Sequence, residues 1–405
     1  MKTSPIAHKN PLGKELVIQI TCPGSITHIL ESEVLALGYR PMENQDGTEK
    51  STITLKGSME DAMRLNMHLR TANSVLVEIM SFRAASVDEL YRKVSAYPWE
   101  RMIEPSGYVC ITSNVNNPTI KDTRIASLKF KDALVDRIKS SHGRRPDSGP
   151  DRRGTVIHLL WRGDECRAFM DTSGESLSKR GYRKIPGTAP LKEGLAAALV
   201  LSTGWRGEGV FVNPMCGSGT LAIEAALMAL NKPPGLLRTN YGFMHIKGFN
   251  RETWDRIRKE ASKNVIRKFP GRIIATDIDT GAVEAARKNA RTAGVEHLIE
   301  FAAAGFAATD VPDGEGVVIM NPPYGERLGL ERELEELYAL MGDFLKQKCK
   351  GKRGYIFTGN PALSKKIGLR TKSRRQFYNG PIECRLLEYE LYEGSRKSPR
   401  EESQD

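Results

Sequence analysis

The sequence predicts an α/β domain over residues 191–392, preceded by an α+β region. Three short apolar runs, at residues 210–212, 272–276 and 316–320, have the length of buried strands, and each leads directly into a loop of polar or glycine residues. Helical patterns alternate with these runs, which is typical of a parallel sheet covered by helices. The sheet would therefore deliver each loop to one of its edges.

The first of these loops, residues 213–220, reads Asn-Pro-Met-Cys-Gly-Ser-Gly-Thr and opens a helical segment rich in alanine and leucine. A strand, a glycine loop and a helix in this order bring backbone N–H groups and a helix N-terminus against a ligand. Gly217 and Gly219 lack side chains, so the main chain can approach that ligand closely. A Gly-x-Gly pair alone is a weak signal, and it needs support from the next strand.

The second strand supplies that support, because it ends at Asp277. A carboxylate at this position accepts hydrogen bonds from ribose hydroxyls. Asp277 lies 58 residues beyond Gly219, whereas about 20 residues are usual in this arrangement. The sequence therefore predicts an insertion over residues 231–271, which has Pro-Pro-Gly near one end and Pro-Gly at the other.

The third loop, Asn-Pro-Pro-Tyr-Gly at residues 321–325, is the most informative stretch of the chain. The residue before a proline is held extended, so the two prolines stiffen the turn. The side-chain oxygen of Asn321 and the backbone carbonyl of Pro322 can then point the same way, with the ring of Tyr324 two residues on. Paired acceptors beside an aromatic ring suit a flat base that carries an exocyclic amine.

The remaining elements follow from their periodicity. Later strands are predicted at residues 354–358 and 386–391, and later helices at 280–292 and 328–350. The stripe formed by Leu334, Leu337, Met341 and Leu345 is interpreted as core. In the N-terminal region, strands and helices mix without the parallel-sheet rhythm, which favours α+β. Its strands are predicted at 15–20, 51–55, 74–80, 108–112, 156–160 and 166–170, and its helices at 25–37, 59–69, 86–94 and 121–139.

The glycine loop, the Asp-Ile-Asp strand end and Asn-Pro-Pro-Tyr-Gly, in that order, resemble an amine-directed methyltransferase dependent on S-adenosylmethionine. The closest resemblance is to the RlmL-like group, THUMP-domain guanine-N2 methyltransferases of 23S ribosomal RNA. Three flanking stretches are similar to the same group, at residues 171–183, 189–193 and 377–386. The Asn-Pro-Pro-Tyr motif is shared with DNA adenine methylases and protein-glutamine methylases, so the flanking stretches are more specific.

The resemblance implies a Rossmann-like class I methyltransferase domain behind a ferredoxin-like and THUMP RNA-binding region. The implied domains are a ferredoxin-like unit at 14–56, a THUMP domain at 57–163, a connector at 164–190, a methyltransferase domain at 191–392 and a disordered tail at 393–405. The implied catalytic residues are Asn321, Pro322 and Tyr324. The implied residues around S-adenosylmethionine are Asn213, Met215, Gly217, Gly219, Asp277, Ile278 and Asn321.

Two positions depart from the family pattern. Asn213 stands where the family usually has Asp, so near the methionine amino group it would offer an acceptor without a charge. Residues 301–306, after the third strand, contain no carboxylate that could meet the adenine amine, and Asp310 is the first one available.

The charge of the chain favours an anionic partner. The net charge is +12, and basic pairs occur at Arg144 and Arg145 and at Arg152 and Arg153. A second basic cluster contains Arg374 and Arg375, close to the aromatic residues 377 and 378. Basic residues beside aromatic ones suit phosphate contacts combined with base stacking. Either cluster alone could be a solvated face, but together with a base-handling loop they favour a nucleic acid, and the resemblance implies that this nucleic acid is RNA.

Composition excludes several other classes. No apolar run approaches the roughly 20 residues needed to cross a bilayer, and the first 12 residues lack the apolar segment of a secretion signal. The six cysteines form no Cys-x-x-Cys pair and the seven histidines show no metal spacing, so neither a metal site nor a disulfide framework is expected. We therefore expect a cytoplasmic protein without a metal.

Two other functions stay open at this stage. A DNA adenine methylase would share the catalytic loop, but it would need a base-reading domain in place of THUMP. A non-catalytic RNA-binding ribosome-assembly factor is conceivable because of Asn213 and the missing third-strand carboxylate. The residues themselves do not distinguish guanine from adenine.

Overall fold

The computed structural model describes residues 7–8, 15–43, 51–118, 120, 122–185, 191–324 and 331–392. The chain divides into two compact units. The first unit contains Met1–Gly181 and Lys232–Val265, and the second contains Tyr182–Asn231 and Ile266–Asp405. The predicted tail at 393–405 and the start of the helix predicted at 328–350 lie outside the described residues.

The N-terminal part of the first unit is built on one mixed sheet. Its strands are Ala7–His8 (β1), Leu16–Thr21 (β2), Thr52–Gly57 (β3), Ser74–Arg83 (β4), Tyr108–Asn116 (β5), Asp147–Ser148 (β6), Thr155–Arg162 (β7) and Glu165–Asp171 (β8). Its helices are Thr27–Ala36 (α1), Met59–His68 (α2), Val87–Ser95 (α3) and Thr123–His142 (α4). Among the described residues the strand order is β3-β2-β4-β8-β7-β5-β6, with β1 paired to β4. Parallel and antiparallel pairs both occur, so the sheet differs from the all-parallel sheet of an α/β domain.

The rest of the chain supplies the second sheet and its helices. The helices are Glu193–Thr203 (α5), Thr220–Ala229 (α6), Arg251–Lys263 (α7), Thr280–Ala293 (α8), Glu331–Lys348 (α9) and Pro361–Ser364 (α10). The strands are Val210–Pro214 (β9), Arg272–Asp277 (β10), Ile299–Ala303 (β11), Gly316–Met320 (β12), Arg353–Thr358 (β13), Ser373–Asn379 (β14) and Ile382–Glu390 (β15). Except for α7, these elements belong to the second unit.

The second sheet has the order β11-β10-β9-β12-β13-β15-β14 among the described residues. The pairs from β11 through β13 are parallel, and β15 runs antiparallel to both β13 and β14. Strand order reverses between β9 and β12, so the loops after these strands diverge at the point where α/β sheets bind ligands. The predicted glycine loop and Asn-Pro-Pro-Tyr turn both lie there.

Local sequence explains why these strands form. Val212, Ile274 and Val318 are buried in the centre of the sheet, and a parallel strand covered on both faces needs such continuous apolar runs. Met341 and Leu345 of α9 pack in the same cluster and are fully buried, which confirms a core role for this part of the predicted stripe.

Most of the predicted insertion, Lys232–Val265, groups with the first unit, and its last residues, from Ile266, group with the second. Three aromatic side chains of this segment, Tyr241, Phe243 and Trp254, are buried with ring centroids 5.0–5.1 Å apart. Ion pairs also join α7 to α2, including Arg64 with Glu260 at 3.0 Å. Exposed pairs contribute little. Backbone hydrogen bonds also attach the segment, from the N–H of Phe243 to the Thr172 carbonyl at 3.1 Å and from that of Lys247 to the Met102 carbonyl at 2.8 Å.

The segment predicted as a connector, 164–190, differs from that expectation in its first part. Residues 165–171 form β8, which pairs with β4 and β7 in the first sheet. The next residues are held by the buried guanidinium of Arg238, which donates hydrogen bonds of 2.7–3.1 Å to four backbone carbonyls. These carbonyls belong to Ser173, Glu175, Ser176 and Lys179. The polar composition of this segment is typical of a linker, but here the side chain of a distant arginine donates hydrogen bonds to its backbone carbonyls.

Within the described ranges, no helix is both long and apolar enough to cross a membrane. In that same part of the chain, no group of three His, Cys, Asp or Glu side chains is placed to hold a metal ion. All six cysteines are buried free thiols.

Candidate active site

A cavity of about 1060 Å³ opens at the carboxyl ends of β9, β10 and β12. Its volume is slightly above the range usual for small-molecule sites, about 300–1,000 Å³. Five of the predicted site residues line this cavity together. They are Met215, Gly217, Asp277, Ile278 and Asn321.

The glycine loop has the backbone that close approach to a ligand requires. Gly217 has φ +53° and would place a Cβ in open space, with no atom within 4 Å. Met215 has φ +65°, a left-handed conformation that is uncommon for a residue other than glycine. Such strained conformations cluster at functional sites, where the surrounding structure holds them in place.

Asp277 ties this loop to the end of the second strand. One carboxylate oxygen accepts from the backbone N–H of Gly217 at 2.8 Å, and the other accepts from the N–H of Asp279 at 3.0 Å. Each carboxylate oxygen can accept more than one hydrogen bond, so acceptor capacity is left for ligand hydroxyls. Asp277 therefore both shapes the loop and faces the cavity.

Two predicted cofactor residues lie off the cavity wall. Gly219 has φ +82°, and a Cβ there would come within 2.8 Å of the Ala286 Cβ, so this glycine is needed for α8 to pack closely. Asn213 is fully buried, and its amide donates to the Ile319 carbonyl of the neighbouring strand at 3.0 Å. Neither residue is among the described residues that line the cavity, and their predicted contacts with a cofactor stay predictions. The side-chain oxygen of Asn213 is buried and has no hydrogen-bond partner among the described residues.

An apolar slot forms one end of the cavity. Ile278 is 82% exposed although it is a large apolar residue. Its side chain lies next to Gly305, since a Cβ added to that glycine would be 3.9 Å from the Ile278 Cδ1. Phe306 lines the cavity beside them. Asp310 is exposed and does not line the cavity, so it is not placed to meet an adenine amine. A flat ring between Ile278 and Phe306 would be held by contact area rather than by a carboxylate.

Sequence reasoning missed part of this wall. Phe306 lay within a stretch examined only for carboxylates, and its ring is fixed edge-on against Phe344 at 5.7 Å. The stripe on α9 was interpreted entirely as core, yet Leu337 also lines the cavity, together with Leu340, which is 58% exposed. Leu340 is exposed although its neighbour Met341 is buried in the core. An exposed leucine on a core helix indicates a ligand-facing surface, but the sequence does not reveal the exposure before the position of the helix is known.

Residues of the Asn-Pro-Pro-Tyr turn face either the cavity or the protein interior. Asn321 and Pro323 line the cavity, whereas Pro322 is buried and Tyr324 is half-buried against β13 and β15. The side-chain oxygen of Asn321 is buried and has no hydrogen-bond partner among the described residues. An unsatisfied buried acceptor costs about 1–3 kcal/mol, so a donor that reaches it would be stabilised.

Tyr324 is held in place by its surroundings. Its hydroxyl accepts from the Asn379 amide at 2.8 Å, and its ring meets Phe357 edge-on at 6.4 Å. Burial raises the pKa of Tyr324 to about 12, so the phenol stays neutral at physiological pH. It is therefore suited to stacking or hydrogen bonding and not to taking up a proton as a phenolate.

The motif at residues 180–183 also reaches the cavity wall. Arg183 donates to the Leu191 carbonyl and, at 3.2 Å, to the hydroxyl of Thr220, while Leu191 and Thr220 line the cavity. Tyr182 donates to the buried carboxylate of Glu224 at 2.9 Å. These contacts hold the first residues of the second unit against the N-terminal half of α6.

The predicted RNA-binding arginines differ in how they are engaged. Arg144, Arg145 and Arg374 are exposed. Arg153 is bound by its neighbour Asp151 at 2.7 Å, although both side chains remain substantially exposed. Arg375 donates to the Ser202 carbonyl at 2.6 Å and pairs with Glu388 at 3.3 Å, so it has a structural use within the second unit. Arg152 is half-buried.

A reversing parallel sheet, a glycine loop tied to an acidic strand end and an Asn-Pro-Pro-Tyr turn on one cavity define the methyltransferase class. The chain belongs to the RMKL-like methyltransferase domain family, which matches residues 180–388. The RlmL ferredoxin-like domain matches residues 18–76 and the THUMP domain matches residues 84–167. The predicted family and fold class are thereby confirmed. The matched ranges divide the N-terminal region between residues 76 and 84, whereas the predicted division follows residue 56.

Known proteins are similar over nearly the whole chain. The ribosomal RNA large subunit methyltransferase K/L of Syntrophotalea carbinolica is 38% identical over 385 residues, which cover 92% of this chain and 53% of that protein. The solved structure of SMU.472 in complex with SAH has a TM-score of 0.83 and 28% identity, covering 95% of this chain and 100% of that one. A structure from Listeria monocytogenes, named a predicted N6-adenine-specific DNA methylase, has a TM-score of 0.82 and 32% identity, covering 93% of this chain and 97% of that one. The chain spans about half the length of the curated relatives it matches.

Proposed function

We propose that this enzyme transfers a methyl group from S-adenosylmethionine to the exocyclic N2 amine of a guanine in large-subunit ribosomal RNA. The observation that carries the proposal is the buried side-chain oxygen of Asn321, which has no hydrogen-bond partner among the described residues. It lies on the wall of the cavity that the glycine loop also lines. An acceptor in this position is suited to an N–H donor from a substrate. The cavity beside it is suited to the methyl donor.

S-adenosylmethionine is the cofactor of this class, and the residues present fit it. Gly217 offers backbone at close range, Asp277 keeps acceptor capacity for ribose hydroxyls, and Ile278 with Phe306 forms an apolar slot for the adenine ring. When bound, this cofactor supplies a methyl group on a sulfonium, which is a good leaving group. The chain therefore needs to supply position more than chemical activation.

The turn at residues 321–324 orients the acceptor amine. Asn321 and the Pro322 carbonyl each accept one N–H of the amine, which directs the nitrogen lone pair toward the cavity. Tyr324 stacks on or borders the base. The high pKa of Tyr324 argues against a phenolate base, and none is required, because the amine proton can leave after the methyl group has been transferred. A target inside a helix must first be flipped out, at a cost of a few kcal/mol.

Ribosomal RNA is favoured as the substrate by the domain that precedes the catalytic one. THUMP domains bind RNA by family likeness, and the curated relatives are named for large-subunit ribosomal RNA. Arg144, Arg145 and Arg374 are exposed and available for phosphate contacts, and Arg152 and Arg153 lie in the same basic loop. An enzyme that methylates bacterial ribosomal RNA would act in the cytoplasm, where that RNA is located. DNA adenine methylation is the second candidate, because one similar structure carries that name.

Nucleoside mass spectrometry tests the proposal. Large-subunit ribosomal RNA from a deletion strain should lack one N2-methylguanosine present in the parent, and the purified protein with S-adenosylmethionine should restore it. Plasmid DNA treated in parallel should gain no methyl group. Methylation of DNA adenine, or of a different RNA nucleoside, would refute the substrate assignment. Failure of the protein to bind S-adenosylmethionine in calorimetry would favour a non-catalytic RNA-binding factor.

A further inference from the structure

The hydroxyl of Tyr324 is held by a hairpin that follows it by more than 50 residues. The Asn379 amide donates to this oxygen at 2.8 Å, and the Cys384 thiol approaches it at 3.7 Å. Asn379 ends β14 and Cys384 lies in β15, so both partners come from one hairpin. From this geometry we infer that Asn379 is a positioning residue, which acts on the reaction by fixing the orientation of Tyr324.

The hairpin places Asn379 accurately. Asn379 pairs with Ile382 across a two-residue turn, and Gly380 in that turn has φ +63°. A left-handed residue costs other amino acids about 1–2 kcal/mol, so glycine makes this tight turn accessible. The amide of Asn379 is thus tied to a paired strand end and not to a free loop.

The ring of Tyr324 is enclosed on its other sides by apolar groups. Phe357 meets it edge-on, and Phe377 continues the row from Phe357 with centroids 6.2 Å apart. A Cβ on Gly359 would come within 2.9 Å of the Tyr324 ring, so the absence of a side chain there lets the ring lie close to β13. Packing sets the plane of the ring, and the Asn379 hydrogen bond sets the position of its hydroxyl end.

The inference rests on the proposed function, because it gives Tyr324 the task of bordering the target base. Asn379 does not line the cofactor cavity. Its removal should therefore affect the placement of the base while leaving the binding of S-adenosylmethionine unchanged. That separation distinguishes a positioning residue from one that supports the fold as a whole.

The test compares Asn379→Ala with Gln376→Ala, a matched control. Gln376 is an exposed amide on the same strand, and its partner is Tyr378 and not Tyr324. For methylation of ribosomal RNA from a deletion strain, Asn379→Ala should lower kcat about tenfold, while KM for RNA and the Kd for S-adenosylmethionine change less than about threefold. Gln376→Ala should leave kcat and the Kd for S-adenosylmethionine unchanged.

A double-mutant cycle locates the effect. Tyr324→Phe keeps the ring but removes the hydroxyl that Asn379 holds, so in that background Asn379→Ala should cause no further loss. Equal losses in both backgrounds would overturn the inference, as would a parallel loss of cofactor binding.

A second readout is independent of the substrate. With ring-labelled tyrosine, the NMR signal that disappears in Tyr324→Phe identifies Tyr324. This signal should shift or broaden in Asn379→Ala and stay in place in Gln376→Ala. An unchanged Tyr324 signal in Asn379→Ala would refute the positioning role. Absence of methyl transfer by the wild-type protein would instead refute the proposed function and leave the NMR result to decide on Asn379.

Discussion

The two glycines of the first loop have different tasks, and a pair of alanine substitutions should separate them. Both residues have positive φ, +53° at Gly217 and +82° at Gly219, so either alanine costs about 1–2 kcal/mol in backbone strain. At Gly219 the new methyl group would also lie 2.8 Å from the Ala286 Cβ. Forcing α8 outward adds about 1–3 kcal/mol. We therefore expect Gly219→Ala to destabilise the protein by about 3 kcal/mol.

Gly217→Ala should behave in the opposite way. Its methyl group would meet no protein atom within 4 Å, so the fold should lose only the backbone cost. That same methyl group would occupy space on the cavity wall where the cofactor approaches the loop. We expect the Kd for S-adenosylmethionine to rise at least about tenfold, equivalent to about 1.4 kcal/mol.

Urea unfolding and calorimetry at a temperature where both variants are folded measure the two quantities separately. Gly219→Ala should have the lower unfolding midpoint, and Gly217→Ala the weaker cofactor binding. The reasoning is refuted if Gly217→Ala binds S-adenosylmethionine as the wild type does. It is equally refuted if Gly219→Ala is as stable as Gly217→Ala.

Three further predictions concern other parts of the chain. Arg238→Met leaves four backbone carbonyls without their donor, so the free energy of unfolding measured in urea should fall by about 3 kcal/mol or more. The control Arg251→Met removes only an exposed ion pair and should change this free energy by less than about 1 kcal/mol. Burial lowers the pKa of His158 to about 4, below the ordinary 6.5, so the unfolded chain takes up the proton first as pH falls. Stability should therefore decline between about pH 6.5 and pH 4, and His158→Gln should show a smaller decline in pH-dependent unfolding, with no difference in slope above pH 7. Ile278→Ser at an 82% exposed position should leave the melting temperature within about 2 °C but weaken binding of S-adenosylmethionine several-fold in calorimetry; unchanged binding would contradict the apolar slot.

Features that depend on neighbouring residues in the chain could be predicted from the sequence. Strands β9, β10 and β12 were found because each is a short apolar run, and their loops carry the residues that meet at the cavity. The turn at Asn321 was found because two consecutive prolines restrict the backbone locally. In the structure the ends of two of these strands do meet, because Asn321 and Asp277 line the same cavity.

Features that depend on distant partners could not be predicted in this way. The polar segment after β8 has the composition of a linker, and only the position of Arg238, about 60 residues later, makes it an ordered part of the first unit. The cofactor contacts predicted for Gly219 and Asn213 stay predictions, but both residues also have tertiary roles that the motif does not reveal. Gly219 lets Ala286 pack closely, and the amide of Asn213 donates to the Ile319 carbonyl at 3.0 Å.

The substitution Asn321→Ala tests the central claim most directly, because it removes the buried side-chain oxygen and retains the two prolines. At saturating RNA and S-adenosylmethionine, the rate of methyl transfer should fall at least about a hundredfold, as expected when an amine loses its alignment. The Kd for RNA should change less than about threefold. Full methyl transfer by this variant, or an equal loss of RNA affinity, would contradict the role of the turn in orienting the amine.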